Sequence, residues 1–312
     1  MRIAFLGTGD FGRPALVRLA PDVALAISQP DRPAGRGREI HPTAIHALAD
    51  ELGIRHIQTE DVNALPIDSL FKDIDLAVVV AFGQKLGPAV LAAPRLGCVN
   101  IHASLLPRYR GAAPYQWAVI NGDRTTGVTV FQINEKWDAG AILGVRETEI
   151  SETETADELH DRLAIVGAAL IVEVLNDLAA GRARPLHQDA AQATRAPKLK
   201  KSDGAVDWSQ PARNVSRRIN GLWSWPAAAA RFSGPAGKVE SVQLARAQPI
   251  EDAAPEDTPC GALRSDGLVQ TGRGAVRILE IKPAGGKLMP FDAFARGRGI
   301  APPARFLPLE TP

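Results

Sequence analysis

An amide, an imidazole and a carboxylate stand where they can act together in this 312-residue chain, at Asn100, His102 and Asp138. Asn100 and His102 are two positions apart in Cys98-Val-Asn-Ile-His102, so in a strand both project from one face near its C-terminal end. Asp138 lies in Lys136-Trp-Asp-Ala-Gly140, on a glycine-containing stretch between the β-like runs Gly127 to Gln132 and Ile142 to Ile150, and such a loop can bend back toward that end. Taken singly, His102 reads as a hydrogen-bonded, partly buried histidine and Asp138 as an Asx-turn residue. Taken together the set suits acyl transfer to an amine. An Asn amide donates to a developing oxyanion, an imidazole donates or shuttles the amine's proton, and a carboxylate orients the imidazole or accepts the proton. No nucleophilic Ser or Cys is required: Ser104 lacks a Gly-x-Ser-x-Gly elbow, and Cys98 reads as a small core residue.

These groups need a rigid platform. Apolar runs at 2–6, 23–28 and 76–80 alternate with helix-like intervals, the pattern of a parallel sheet covered on both faces, which binds ligands outside the C-terminal ends of its strands. A loop with Arg108 and Arg110 follows His102 and is expected to line a pocket for an anionic substrate. The last helix of this half spans Thr155 to Leu178 behind a Thr155-x-x-Glu158 capping box. The composition then shifts through Ala-Gly-Arg-Ala-Arg-Pro at 180–185 to the basic stretch Arg195 to Lys201, which reads as a linker. After Trp208 and a helical segment near 211–221, short alternating runs such as Val239 to Leu244 and Ala275 to Ile281 predict a small β-barrel or sandwich.

A second motif competes for attention. Gly7-Thr-Gly-Asp-Phe-Gly12 follows a strand and opens a helix, as a dinucleotide fingerprint does, and Asp31 falls near the end of the second strand. A nicotinamide dehydrogenase is therefore an open reading, although Pro30 and Pro33 around Asp31 indicate a turn into a loop. The glycines equally serve a tight turn and close helix packing.

Hydrophobic residues at 45% and charged residues at 23% describe an ordinary folded chain with a sizeable core. The two cysteines, Cys98 and Cys260, form no CxxC or Cys/His cluster, so neither a disulfide framework nor a metal centre is expected. Without a signal-like or 18-residue apolar stretch, a cytoplasmic location is expected. The net charge of +1 hides an asymmetry: up to residue 194 there are 18 Lys and Arg against 24 Asp and Glu, and beyond it 18 against 11, giving −6 and +7. Clustered positive charge of this kind attracts polyanions such as nucleic acid, although a solvated basic surface is the simpler alternative.

Asn100-Ile-His-Ala-Ser-Leu-Leu-Pro-Arg-Tyr-Arg-Gly-Ala-Ala-Pro114 resembles the signature of the folate-dependent formyltransferases. Gln29 to Gly37, Gly127 to Gln132 and Asp203 to Trp208 are similar to blocks of the branch of that family that formylates methionyl-tRNA. The resemblance implies a Rossmann-like α/β fold with an open, mostly parallel sheet that uses no nicotinamide, followed by a smaller OB-like C-terminal β-barrel. It implies formyl transfer from 10-formyltetrahydrofolate, as co-substrate, to the α-amino group of methionine on initiator tRNA. Asn100, His102 and Asp138 match its catalytic positions, and Ser104, Leu105, Leu106 and Pro107 match a segment associated with folate. Arg32, Arg36 and Arg38 fall in a loop similar to one that contacts the tRNA acceptor end, and Lys198, Lys200 and Lys201 in the linker to a barrel that helps hold the tRNA. The expected organisation is a catalytic domain over 1–190, a basic linker over 191–206 and a tRNA-binding barrel over 207–312, acting as a monomer without membrane or metal. Trp137-Asp-Ala-Gly140 stands where many members carry Leu-Asp-Thr-Gly. Asp-Ala-Gly also occurs in siblings acting on small amines, so an amino sugar or nucleotide remains the alternative acceptor.

Overall fold

The structure, a computed structural model, describes residues 1–34, 39–234, 237, 239–254 and 256–307. Along the chain run β1 (Ile3–Gly7), α1 (Arg13–Leu19), β2 (Val23–Ser28), β3 (Arg32–Ala34), β4 (Glu39–His41), α2 (Ala44–Glu51), β5 (His56–Gln58), α3 (Ile67–Leu70) and β6 (Leu76–Val80). Next come α4 (Pro88–Ala92), β7 (Cys98–His102), β8 (Arg110–Gly111), α5 (Pro114–Asn121), β9 (Thr125–Gln132), β10 (Ile142–Glu149), α6 (Ala156–Ala179) and β11 (Arg195–Ala196). The remainder holds α7 (Ala212–Leu222), β12 (Ala228–Ser233), β13 (Val239–Ile250), β14 (Val269–Gln270), β15 (Ala275–Pro283), β16 (Met289–Pro290), α8 (Phe291–Arg298) and β17 (Arg305–Leu307). Two compact units result: Met1–Pro114 with Thr126–Thr148 and His160–Ala196, and Tyr115–Thr125 with Glu149–Leu159 and the chain from Pro197. The stretch expected as one catalytic domain over 1–190 thus contributes two segments to the second unit.

The first unit is built on a seven-stranded sheet of order β10-β9-β7-β6-β1-β2-β5. From β7 to β5 all neighbours are parallel, and β9 runs antiparallel to β7. This is the Rossmann-like, mostly parallel sheet that the apolar runs imply. β1 and β6 are buried along their whole length because both faces are covered, which is why they read as continuous rather than alternating apolar runs. Helix α6 comes close enough to the sheet that a Cβ on Gly167 would lie 2.7 Å from Ile101, so glycine is the residue that fits there. Past β2 the short strands β3 and β4 pair antiparallel, where the sequence alone indicated a loop.

The second unit carries an antiparallel sheet of order β14-β15-β13-β12-β17, with β16 on β15. The segment around Ala262 and Leu263 bridges Arg305 on one side and Val269 on the other, so the sheet nearly closes into a barrel. Its centre is aromatic: Phe306 contacts Phe232 at 4.9 Å and stacks on Trp208 at 5.4 Å between ring centroids. Among the described residues no helix is long and apolar enough to cross a membrane.

Candidate active site

Asn100 and His102 sit on β7 with their side chains on one face, as the period of two requires, next to the C-terminal ends of β6 and β1. His102 is 7% exposed, and its Nε2–H donates to the carbonyl of Tyr109 at 2.9 Å. A carbonyl only accepts, so this contact assigns the proton to Nε2 and leaves Nδ1 with a lone pair in the neutral ring. Nδ1 faces Oδ1 of Asp138 at 4.0 Å, in a pair whose side chains are 8% and 11% exposed. The edge of Phe131 closes the other side of the imidazole, with centroids 6.4 Å apart.

Asp138 is held from three directions. Its Oδ2 accepts from the backbone N–H of Gly111 at 2.8 Å. Its carbonyl and that of Gly140 both accept from Nε2 of Gln188 at 2.9 Å. Its backbone occupies the left-handed region at φ 49°, uncommon for a residue with a side chain. Gly140 admits nothing larger, because a Cβ there would lie 1.6 Å from the Gln132 carbonyl. Gln188 is itself fixed by Arg110, whose Nε and Nη2 donate to its Oε1 at 3.1 and 2.6 Å. Arg110 therefore braces the Asp138 loop through Gln188, where the sequence suggested a contact to an anionic substrate. Gln188, 50 residues from Asp138, left no signal in the sequence pattern.

Asn100 lines a cavity of about 50 Å³ with Val79, Leu86, Phe131 and Ile133 as its apolar wall and Gln84, Lys85 and Asp138 among its polar groups. Its half-buried side-chain amide has no hydrogen-bond partner among the described residues, so it is free to donate to a group entering the cavity. Gln84, Lys85 and Leu86 come from the turn after β6, which was not singled out from the sequence. The available signal was its place at the carboxyl end of a central strand, next to Gly83.

Ser104, Leu105, Leu106 and Pro107 shape the loop behind β7 and are not among the residues lining this cavity. Ser104 is fully buried and its hydroxyl donates to the Arg108 carbonyl at 2.7 Å. Thr129 ties the segment to β9, donating to the Ser104 carbonyl and accepting from Leu106 N–H. Cys98 is buried at 1% exposure, and burial pushes its thiol up to about 12, so it supplies no nucleophile. Arg32 is exposed at the start of β3 and donates to Gln29, while Arg36 and Arg38 lie outside the described residues. Lys198, Lys200 and Lys201 are all exposed.

The glycine turn and Asp31 are engaged within the protein itself. A Cβ at Gly7 would meet the Phe5 ring at 2.9 Å and the Val80 carbonyl at 3.0 Å, so the glycine serves the packing of β1 on β6. Thr8 Oγ1 donates to the Phe82 carbonyl at 3.1 Å and Gly9 N–H to the Ala81 carbonyl at 3.4 Å, which ties the turn to the loop after β6. Asp31, the candidate ribose ligand, is committed elsewhere: it accepts from Thr43 N–H at 2.9 Å, Gln58 at 2.6 Å and His46 Nδ1 at 3.0 Å. Burial opposes its charge, but the bonds from His46, Thr43 and Gln58 outweigh this and hold its carboxyl below the usual range.

Two family models match the chain: Formyl transferase over residues 1–175, and Formyl transferase, C-terminal domain, over 198–299. Curated relatives named methionyl-tRNA formyltransferase include those of Methylococcus capsulatus, 42% identical, and Phenylobacterium zucineum, 43% identical. Each aligns over 307 residues, 96% of this chain and 98% of the relative. Among solved structures, an N-formyltransferase from Helicobacter canadensis with folinic acid and dTDP-3-aminofucose has a TM-score of 0.66 at 13% identity, covering 88% of this chain and 98% of that one. HypX from Aquifex aeolicus with tetrahydrofolic acid has a TM-score of 0.62 at 20% identity, covering 95% and 47% respectively. At these identities the solved structures share the fold.

Proposed function

The chain belongs to the methionyl-tRNA formyltransferase family, and on that premise we propose that Asn100, His102 and Asp138 carry the formyl transfer. The enzyme moves a formyl group from 10-formyltetrahydrofolate to the α-amino group of methionyl initiator tRNA. The observation that carries the site assignment is the uncommitted Asn100 amide in one cavity with Asp138, whose carboxylate faces a histidine nitrogen bearing a lone pair. The cavity suits the formyl end of the donor: Asn100 and Asp138 both line it, and the exposed Lys85 and Lys136 can meet the carboxylates of the glutamate tail. The donor supplies the activated one-carbon group.

As the amine nitrogen bonds to the formyl carbon, Asn100 donates its amide N–H to the formyl oxygen, on which negative charge builds. The amine becomes acidic at the same moment, and its proton passes to the Nδ1 and Asp138 pair, where the carboxylate stabilises the imidazolium. That proton returns to the departing folate nitrogen as the carbon–nitrogen bond breaks, leaving N-formylmethionyl-tRNA and tetrahydrofolate. Tyr109 keeps Nε2 protonated throughout, so only Nδ1 exchanges.

Ser104, Leu105, Leu106 and Pro107 support donor binding by shaping the wall behind β7. Arg32 on β3, with Arg36 and Arg38 further along the sequence, and Lys198, Lys200 and Lys201 before α7 supply phosphate contacts that orient the tRNA without reading its sequence. The protein acts as a cytoplasmic monomer, with Cys98 and Cys260 as free thiols. The test is formyl transfer from 10-formyltetrahydrofolate to charged initiator tRNA, charged elongator tRNA and small amines including amino sugars. Turnover with initiator methionyl-tRNA is expected; transfer to small amines alone would overturn the acceptor.

A further inference from the structure

Trp137 is 63% exposed immediately before Asp138 and lines the same cavity as Asn100 and Asp138. Among the described residues its indole makes no hydrogen bond, ring contact or cation contact that would account for its place. The cavity encloses about 50 Å³, enough for a one-carbon group, whereas pockets that engulf drug-sized ligands measure ~300–1,000 Å³. The body of a folate must therefore lie partly across the open side. Among the residues lining the cavity, Trp137 presents an exposed aromatic face, beside the exposed ammonium groups of Lys85 and Lys136 and the carboxylates of Glu135 and Asp138. A flat aromatic ring joined to a carboxylate-bearing tail is the ligand that matches this set. We propose that Trp137 is a donor-binding residue that stacks on the aromatic portion of the folate. This rests on the donor reading above.

Calorimetric titration with folinic acid, which carries the folate's aromatic body, tests the proposal on the full-length protein. Because the indole is exposed, Trp137→Leu leaves the fold intact and keeps apolar bulk without a π-face. Its dissociation constant should rise about tenfold, while Trp137→Phe should stay within about threefold of the wild type. The KM for methionyl-tRNA should be unchanged in both. Equal folinic acid binding by the wild type and Trp137→Leu would overturn the stacking role. Unchanged folinic acid binding with a raised KM for methionyl-tRNA would also overturn it, and would assign the indole to the terminal base of the tRNA. A wild type that bound no folinic acid would sink the donor reading itself, which separates the two failures.

Discussion

Asp138 at φ 49° illustrates what the site demands of single residues. A left-handed conformation costs of order 1–3 kcal/mol for a residue with a side chain, and it persists only where neighbours over-determine it. Here Gly111, Gln188 and the space above Gly140 do so, and the outcome is a carboxylate aimed at Nδ1 of His102. Asp138→Asn keeps size and an acceptor for Gly111 N–H but removes the charge that stabilises a protonated His102. Single-turnover formyl transfer is expected to fall ~10²–10⁴-fold, with tRNA affinity by filter binding unchanged. His102→Ala should behave alike. Near-normal transfer by either variant would remove these residues from the chemistry. Asn100 and His102 were legible because a strand puts alternate residues on one face; Gln188 and Arg110 were not, since 78 residues separate them and nothing local marks the pair.

Helix α6 begins with the capping box that its sequence spells out. Thr155 N–H donates to Glu158 Oε2 at 3.0 Å, and Glu158 N–H to Thr155 Oγ1 at 3.3 Å. The structure adds Arg246 of β13, which donates to Glu158, to Glu280 and to the Thr153 carbonyl. The hydrogen bond from Arg246 is the largest influence on Glu158 and, with the Thr155 bonds, holds its carboxyl below the ordinary 4.5. A depressed carboxylate contributes stability that is present above its unfolded value and lost as pH falls through the folded one. Glu158→Gln should therefore lower Tm at neutral pH, by roughly 2–4 °C for an exposed network worth about 1 kcal/mol. Its Tm should also converge with that of the wild type as pH falls through the depressed folded value of Glu158, below the ordinary 4.5, in calorimetric scans. A constant gap across the acid range would point to packing rather than charge.

The whole molecule divides its charge, −6 up to residue 194 and +7 beyond it. Phosphate contacts by exposed lysines act through counterion release, with a slope of about −0.9 in log affinity against log salt for each contact. Replacing Lys198, Lys200 and Lys201 with Ala should flatten the salt dependence of the KM for methionyl-tRNA by about 2–3 in slope, leaving kcat at saturation unchanged. An unaltered slope would remove these lysines from the tRNA contact. Both units were foreseeable as classes, a parallel sheet and a small barrel or sandwich, because strand burial is written into local patterning. Near-closure of the barrel was not, since it depends on Ala262 and Leu263 bridging strands that lie apart in the chain.

The sequence by itself determined the candidate reacting groups we propose, the sheet that carries them, the α6 cap and the sign of each half's charge. All of these arise from residue type and from spacing over a few positions. Only the tertiary structure decided which nitrogen of His102 is free, that Arg110 serves Gln188 rather than a ligand, and that Asp31 and the Gly7–Gly12 turn are spent on the protein itself. The physical reason is common to all three. A polar group's role depends on which partner reaches it first, and crossover connections bring those partners from remote parts of the chain.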